Sequence, residues 1–199
     1  MYGLINRAIQ RFVIDTYGSV CWEAAMLRSD LGLSGFEAML SYDTATTGAV
    51  VDAVAGELGR PVAEVLEDIG TYLVSHPNSE AVRRLLRFGG EDFTEFLHSL
   101  EDLPDRARLA VSDLDLPQLE LSEYGLGCFR LSFSAGLDGF GHAMIGLLRS
   151  MADDYGALVL LAHNVGEGAS GEMIEITLID AGFATGRSFV LAGQGGAGQ

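Results

Sequence analysis

Phe96-Leu97-His98-Ser99-Leu100-Glu101-Asp102-Leu103-Pro104-Asp105-Arg106 is the stretch on which the reading of this chain turns. Phe96, Leu97, Leu100 and Leu103 fall at helical spacing, and that spacing predicts a helix ending near residue 103. Pro104 stands at its end, and proline has no nitrogen lone pair to give a metal. His98 lies six residues earlier. At ~100° per residue it points to a different face of that helix from position 104. It reads as a surface histidine rather than a substitute at 104.

Upstream of this stretch the pattern is helical throughout. Leu4, Ile5, Ala8, Ile9, Phe12 and Val13 recur at helical spacing, and Tyr17-Gly18 closes the segment. Further helices are expected over 20–28, 46–58, 62–74, 80–88 and 93–100, punctuated by Gly32, Gly35, Gly59-Arg60-Pro61, Ser75-His76-Pro77 and Gly89-Gly90. Downstream, after Pro117, the period changes. Alternating residues predict strands over 118–122 and 128–134 around the turn Tyr124-Gly125-Leu126-Gly127. Residues 141–155 read as a helix with a stripe of Met144, Ile145, Leu147, Leu148 and Met151. Strands follow over 157–163 and 172–179, with a short edge strand expected over 183–191. Helices followed by strands imply an α+β fold: a helical N-terminal part packed on an antiparallel sheet with one inserted helix. The expected organisation is one domain over 1–192, helical over 1–60 and mixed over 61–192, with a flexible tail at 193–199.

The charge balance narrows the function classes. Twenty-eight acidic residues against 12 basic give a net charge of -16, which repels nucleic-acid backbones and anionic lipid. No apolar run reaches the ~18 residues of a membrane span, and the N-terminus shows no leader pattern, so a soluble cytoplasmic protein is expected. Cys21 and Cys128 are isolated, which suits neither a disulfide framework nor a zinc site.

Ordered motifs resemble the heme–nitric oxide/oxygen binding (H-NOX) family. Met1-Tyr2-Gly3-Leu4-Ile5-Asn6-Arg7-Ala8 is similar to the family's opening M-x-G-L-I-N-x-A. Tyr17-Gly18 with Trp22 matches Y-G-x-x-x-W, and Tyr42-Asp43, Gly70-Thr71-Tyr72, Pro117 and Ile145-Gly146-Leu147-Leu148 follow in the family's order. The run 96–104 is similar to F-L-x-x-L-D-x-L-H, whose final histidine ligates heme iron; here that position is Pro104. The family's Y-x-S-x-R, which holds the heme propionates, falls at Phe133, Ala135 and Leu137. Burying an unpaired propionate is costly, so the loss of ligand and of anchors is chemically coherent.

The resemblance therefore implies a sensor or regulatory domain, with heme as the family's cofactor but no support here for the usual histidine-ligated form. Its pocket positions would be Leu4, Ile5, Val74, Leu100, Pro104, Pro117, Phe133, Ala135, Leu137 and His142. Two other readings stand beside it: a heme gas sensor using a ligand such as His142, and a heme-free interaction domain with an apolar ligand cavity. His142 itself reads either as a pocket histidine or as a helix-start histidine bonded to backbone or solvent. Stand-alone bacterial relatives report to a histidine kinase or a cyclic-di-nucleotide enzyme, so the resemblance implies such a partner; a homodimer is a further expectation.

Nothing in the sequence supports an enzyme. Asp153-Asp154 and Glu101-Asp102 are adjacent carboxylates that do not face one another on a helix and read as solvated. Gly166-x-Gly168-x-x-Gly171 leads into an expected strand rather than a helix, so it reads as a hairpin loop rather than a phosphate site. His76 and His163 read as structural. Arg83, Arg84 and Arg87 form the densest basic group, either a solvated helix face or a docking patch.

Overall fold

A computed structural model of the chain describes residues 3–111, 114, 116–134, 139–165 and 172–188. Helices α1 (Gly3–Tyr17), α2 (Ser19–Ser29), α3 (Thr44–Leu58), α4 (Val62–Ser75), α5 (Glu80–Arg87), α6 (Phe93–His98) and α7 (Leu103–Ala110) precede the strands. Strands β1 (Leu119–Gly125) and β2 (Cys128–Phe133), helix α8 (Phe140–Tyr155), and strands β3 (Leu158–Val165) and β4 (Glu172–Asp180) follow. The sheet is antiparallel throughout, in the order β1-β2-β4-β3.

Local chemistry sets several boundaries. Asp43 caps α3 by accepting the Ala45 N–H, and Asp92 caps α6 by accepting that of Glu95. Gly59 and Gly156 end α3 and α8 in the left-handed region that glycine reaches without a Cβ penalty. In β2 the alternation of Phe129, Leu131 and Phe133 turns every second side chain into the core.

Apolar residues collect into two clusters. The first unites Ile9, Phe12 and Val13 of α1, Trp22 and Met26 of α2, Val50 and Val54 of α3, and Val65 and Ile69 of α4. The second joins α6 and α7 to the inner face of the sheet through Phe96, Leu97, Leu100, Leu103, Phe129, Leu131, Ile174 and Ile176, with Met144, Ile145, Leu148 and Met151 of α8 packed between. Helix α4 contributes to both, Val74 lying in the second cluster.

The two halves meet where α4 crosses α8. Two glycines face this crossing. A Cβ on Gly70 would lie 1.9 Å from the Ala143 carbonyl oxygen, and one on Gly146 would lie 1.9 Å from that of Glu67. The helices therefore touch backbone to backbone, a separation no side chain permits.

Three expectations need correction. The helix expected over 93–100, ending near residue 103, is broken: α6 stops at His98, a turn spans Ser99–Asp102, and α7 begins at Leu103. Pro104 consequently sits in the first turn of a new helix, where its missing N–H costs no helical bond. The described part of the expected edge strand, residues 183–188, contains no strand; its remainder, the 166–171 loop and the tail at 193–199 lie outside the described residues. Finally, Asp154 is not solvated. It is 2% exposed and accepts from the Arg83 Nε–H at 3.0 Å.

A polar network ties α1 to the end of α4. Asp15 accepts from the Tyr72 hydroxyl at 2.6 Å and from Asn78 at 2.7 Å. These bonds hold the Asp15 carboxyl below its ordinary value, and burial, aided by Asp15, pushes the Tyr72 phenol up to about 12. His76 stacks on the Tyr72 ring at 4.7 Å and bonds the Asn78 N–H, a structural role as expected.

Candidate functional site

The apolar cluster that α6, α7, β2 and α8 share contains three of the ten pocket positions read from the sequence. Val74, Leu100 and Phe133 share the second apolar cluster, beside Leu103 and Met144. The Phe133 ring packs edge-on against Phe140 at 5.3 Å. Pro104 and Pro117 are also buried. Ile5, by contrast, packs against the first cluster, and Leu4 is half-buried. Of the expected lining, Ile5 thus packs with the first cluster and Val74, Leu100 and Phe133 with the second. Ala135 and Leu137 lie outside the described residues.

The turn between α6 and α7 is held from within. Arg106 donates to the Ser99 carbonyl at 2.7 Å and to its hydroxyl at 3.2 Å. Ser99 in turn donates to the Phe96 carbonyl at 2.7 Å. Asp102 and Pro104 start α7 immediately afterwards. His98 is exposed at the end of α6, with its ring edge-on to Phe129 at 5.9 Å. Its position agrees with the surface reading.

A second arginine group lies on α5. Arg83 and Arg87 are 11% and 12% exposed, and both reach the buried Asp154 of α8, at 2.8 Å and 3.6 Å. The Arg87 guanidinium also covers the Tyr155 ring at 3.9 Å, and Tyr155 donates to the Gly90 carbonyl at 2.9 Å. Burial pushes the Tyr155 phenol up. Arg83 and Arg87 are a structural clasp between α5 and α8, neither the solvated helix face nor the docking patch read from the sequence. Only Arg84 of the three faces outward, paired with Glu80.

His142 has surroundings that neither of its two sequence readings anticipated. Its side chain is 31% exposed, Nδ1 lies 3.9 Å from a Glu67 carboxylate oxygen, and its ring meets His163 edge-on at 4.6 Å. His163 in turn bonds Glu172 at 2.9 Å, and the same Glu172 oxygen accepts the Gly141 N–H. Four elements thus converge in a polar group at the α4–α8 crossing. Its members are 67, 142, 163 and 172, too far apart in sequence for any motif to connect them. No group of three or more His, Cys, Asp or Glu residues suited to hold a metal ion occurs among the described residues.

These residues do not fit a histidine-ligated heme. The position that the sequence resemblance assigns to the iron ligand, Pro104, is a buried proline at a helix start, and the one it assigns to a propionate anchor in β2, Phe133, is a buried phenylalanine packed on Phe140. The half-buried Arg83, Arg87, Arg106 and Arg130 already engage Asp154, Ser99 and Glu175. No helix among the described residues is long and apolar enough to cross a membrane.

Comparison with known proteins places the chain among relatives. A family model described as Haem-NO-binding matches residues 2–163. Soluble guanylate cyclase gcy-31 of Caenorhabditis elegans is 23% identical over 154 residues, 77% of this chain and 22% of that protein. Soluble guanylate cyclase gcy-35 of the same organism is 30% identical over 105 residues, 52% of this chain and 15% of that protein. The match thus spans less than a quarter of the length of these cyclases. In solved structures the same fold occurs in the unliganded Fe(II) H-NOX protein of K. algicida, with a TM-score of 0.77, 16% identity, and coverage of 90% of this chain and 97% of that one. It occurs again in the Fe(II)NO H-NOX protein of S. oneidensis, with a TM-score of 0.72, 21% identity, and coverage of 90% and 100%.

Proposed function

Because the chain belongs to the Haem-NO-binding (H-NOX) family, whose domains sense rather than catalyse, we propose that it is a regulatory domain that has dispensed with histidine-ligated heme. One observation carries the proposal. The ligand position is Pro104, buried and engaged in starting α7, while Phe133 fills the anchoring position against Phe140. A heme entering here would meet no nitrogen from this helix and no hydroxyl from residue 133. Its propionates would enter a strongly acidic protein with little compensation.

In this reading the domain folds around its own side chains and signals through contacts with other proteins. The matched relatives are guanylate cyclases, so a nucleotide cyclase joins the histidine kinase and the cyclic-di-nucleotide enzyme as the class of effector it would regulate. The α4–α8 crossing is where such a signal would pass between the two halves, since both clusters rest on it.

Graded restoration tests the proposal. Pro104→His alone is expected to take up heme poorly, because the anchors are still missing. Adding Phe133→Tyr, Ala135→Ser and Leu137→Arg is expected to raise heme retention by about tenfold or more, since charge-assisted anchoring contributes roughly 1.5–3 kcal/mol. Retention on purification, read from the Soret absorbance per protein, is the measurement. Full retention by the single Pro104→His variant would show that residue 133 and its partners do not close the site.

A further inference from the structure

The polar group at the α4–α8 crossing is arranged as a row. Two imidazoles stand at its centre, His142 from the first turn of α8 and His163 from β3, their rings edge-on at 4.6 Å. A carboxylate closes each end. Glu172 of β4 bonds His163 at 2.9 Å, and Glu67 of α4 brings Oε1 to 3.9 Å from the His142 Nδ1. The two ends are not equivalent. The His163 side chain is 11% exposed and bonded, whereas the His142 Nδ1 is buried with no hydrogen-bond partner. Glu67 holds Arg149 at 3.2 Å through its other oxygen, Oε2, which leaves Oε1 turned to the histidine. The main chain ties the same place together, the Gly141 N–H donating to Glu172 at 3.1 Å. Among the described residues, the charged and titratable groups in this contact are Glu67 of α4, His142 and Arg149 of α8, His163 of β3 and Glu172 of β4. The partial positive end of α8 lies beside them.

We propose that His142 and His163 form a proton-operated latch between α8 and the sheet, closed until both rings are charged and then released toward α4. Electrostatics supplies the direction. A proton on His163 completes an ion pair with Glu172 and leaves the ring contact in place. A second proton, on His142, sets two cations with ring centres 4.6 Å apart in a partly covered site, where unit charges interact several-fold more strongly than in bulk water. The same proton turns the approach of His142 to Glu67 into an ion pair. Repulsion from β3 and attraction to α4 then act on one side chain in one direction. Histidine changes charge between about pH 5 and 8, so the residue type sets the range in which the latch works. The lever is short. Glu67, and Ala143 next to His142, supply the carbonyl oxygens that Gly146 and Gly70 admit at the crossing. Release therefore reaches the contact on which both apolar clusters rest. The latch stands on these contacts alone, whichever effector the domain serves.

NMR of the isotope-labelled full chain between about pH 8 and 5 tests the latch. At the upper end the wild type should show cross-relaxation between the His142 and His163 rings and a protected Gly141 amide. At the lower end the cross-relaxation should vanish. Gly141 exchange, corrected for its intrinsic pH dependence, should then be faster by about tenfold or more. The Val54 amide in the other cluster should keep its protection, which separates release of the latch from unfolding of the chain. His142→Phe keeps a ring but takes no proton, so its contact with His163 and its Gly141 protection should hold in acid. His142→Gln is a second uncharged variant, read through Gly141 alone. A thermal midpoint equal to that of the wild type at the upper pH establishes that either variant is folded. A wild-type ring contact that persists at the lower pH overturns the proposal, whatever charge the rings then carry. So does a Gly141 amide released equally in the wild type and in the folded variants.

Discussion

Gly146→Val is expected to destroy most of the fold's stability, and Gly70→Val to do the same. At either site a Cβ would stand 1.9 Å from a carbonyl oxygen of the crossing helix, Glu67 for Gly146 and Ala143 for Gly70. Backbone cannot yield as a flexible side-chain tip can. The helices must separate, and the side chains flanking the crossing lose contact on both sides. Overpacking alone costs typically about 1–3 kcal/mol; a backbone collision that separates two cores belongs in the exceptional class above about 4–5 kcal/mol. Against a total stability of about 5–15 kcal/mol, that leaves the chain largely unfolded or marginal. Each variant should therefore show a shifted or absent urea transition. The double variant should cost less than the sum of the two, because the first substitution already parts the helices. Gly48 provides the contrast. It lies inside α3 with open space where a Cβ would stand, so Gly48→Ala should stabilise by about 0.5–1 kcal/mol. A wild-type melting curve for Gly146→Val would show that the glycine crossing does not hold the halves together.

Asp154→Ala carries the second large effect. The carboxylate is buried, with Arg83 at 2.8 Å and Arg87 at 3.6 Å, and both guanidiniums are nearly covered. Removing it takes from two nearly covered cations the buried carboxylate they share, although Arg83 keeps the more exposed Glu80 at 3.7 Å. Breaking a buried pair from one side costs about 3–5 kcal/mol. At about 2–4 °C per kcal/mol for a chain of this size, the thermal midpoint should fall by about 10 °C. Arg84→Ala, on the exposed side of the same helix, should change it little. Equal effects at Arg84 and Asp154 would return the arginines of α5 to a surface role.

These two cases also mark how far the sequence could be read. The helical first half, the change of period after Pro117, the hairpin and the inserted helix α8 were all legible, because each rests on local periodicity and turn chemistry. Helix α7 was not foreseen. Pro104 reads as the end of one helix, whereas proline is equally at home in the first turn of the next, and Leu103-Pro104 carries that signal. Asp154 was likewise recoverable in part. It follows Met151 by three residues and so continues the apolar stripe of α8, where a carboxylate must find a buried partner. Its partners lie 71 and 67 residues upstream, beyond the reach of any local pattern. The group at Glu67, His142, His163 and Glu172 was invisible for the same reason: four elements supply one residue each. Family resemblance supplied the pocket positions, but it could not show that Ile5 packs in one cluster and Val74, Leu100 and Phe133 in the other.

The central claim is that an H-NOX fold is completed here by protein side chains in place of a histidine-ligated heme. The most direct measurement is the absorption spectrum of the unmodified chain, expressed with excess heme and purified, beside its thermal midpoint with and without added heme. The account predicts no stoichiometric Soret band and one midpoint in both conditions, because a group that does not bind the folded state cannot stabilise it. A Soret band at one heme per chain, with a midpoint that rises on heme addition, would contradict it. If that band disappeared in His142→Ala, the iron ligand would be the histidine of α8 rather than any residue of the α6–α7 segment.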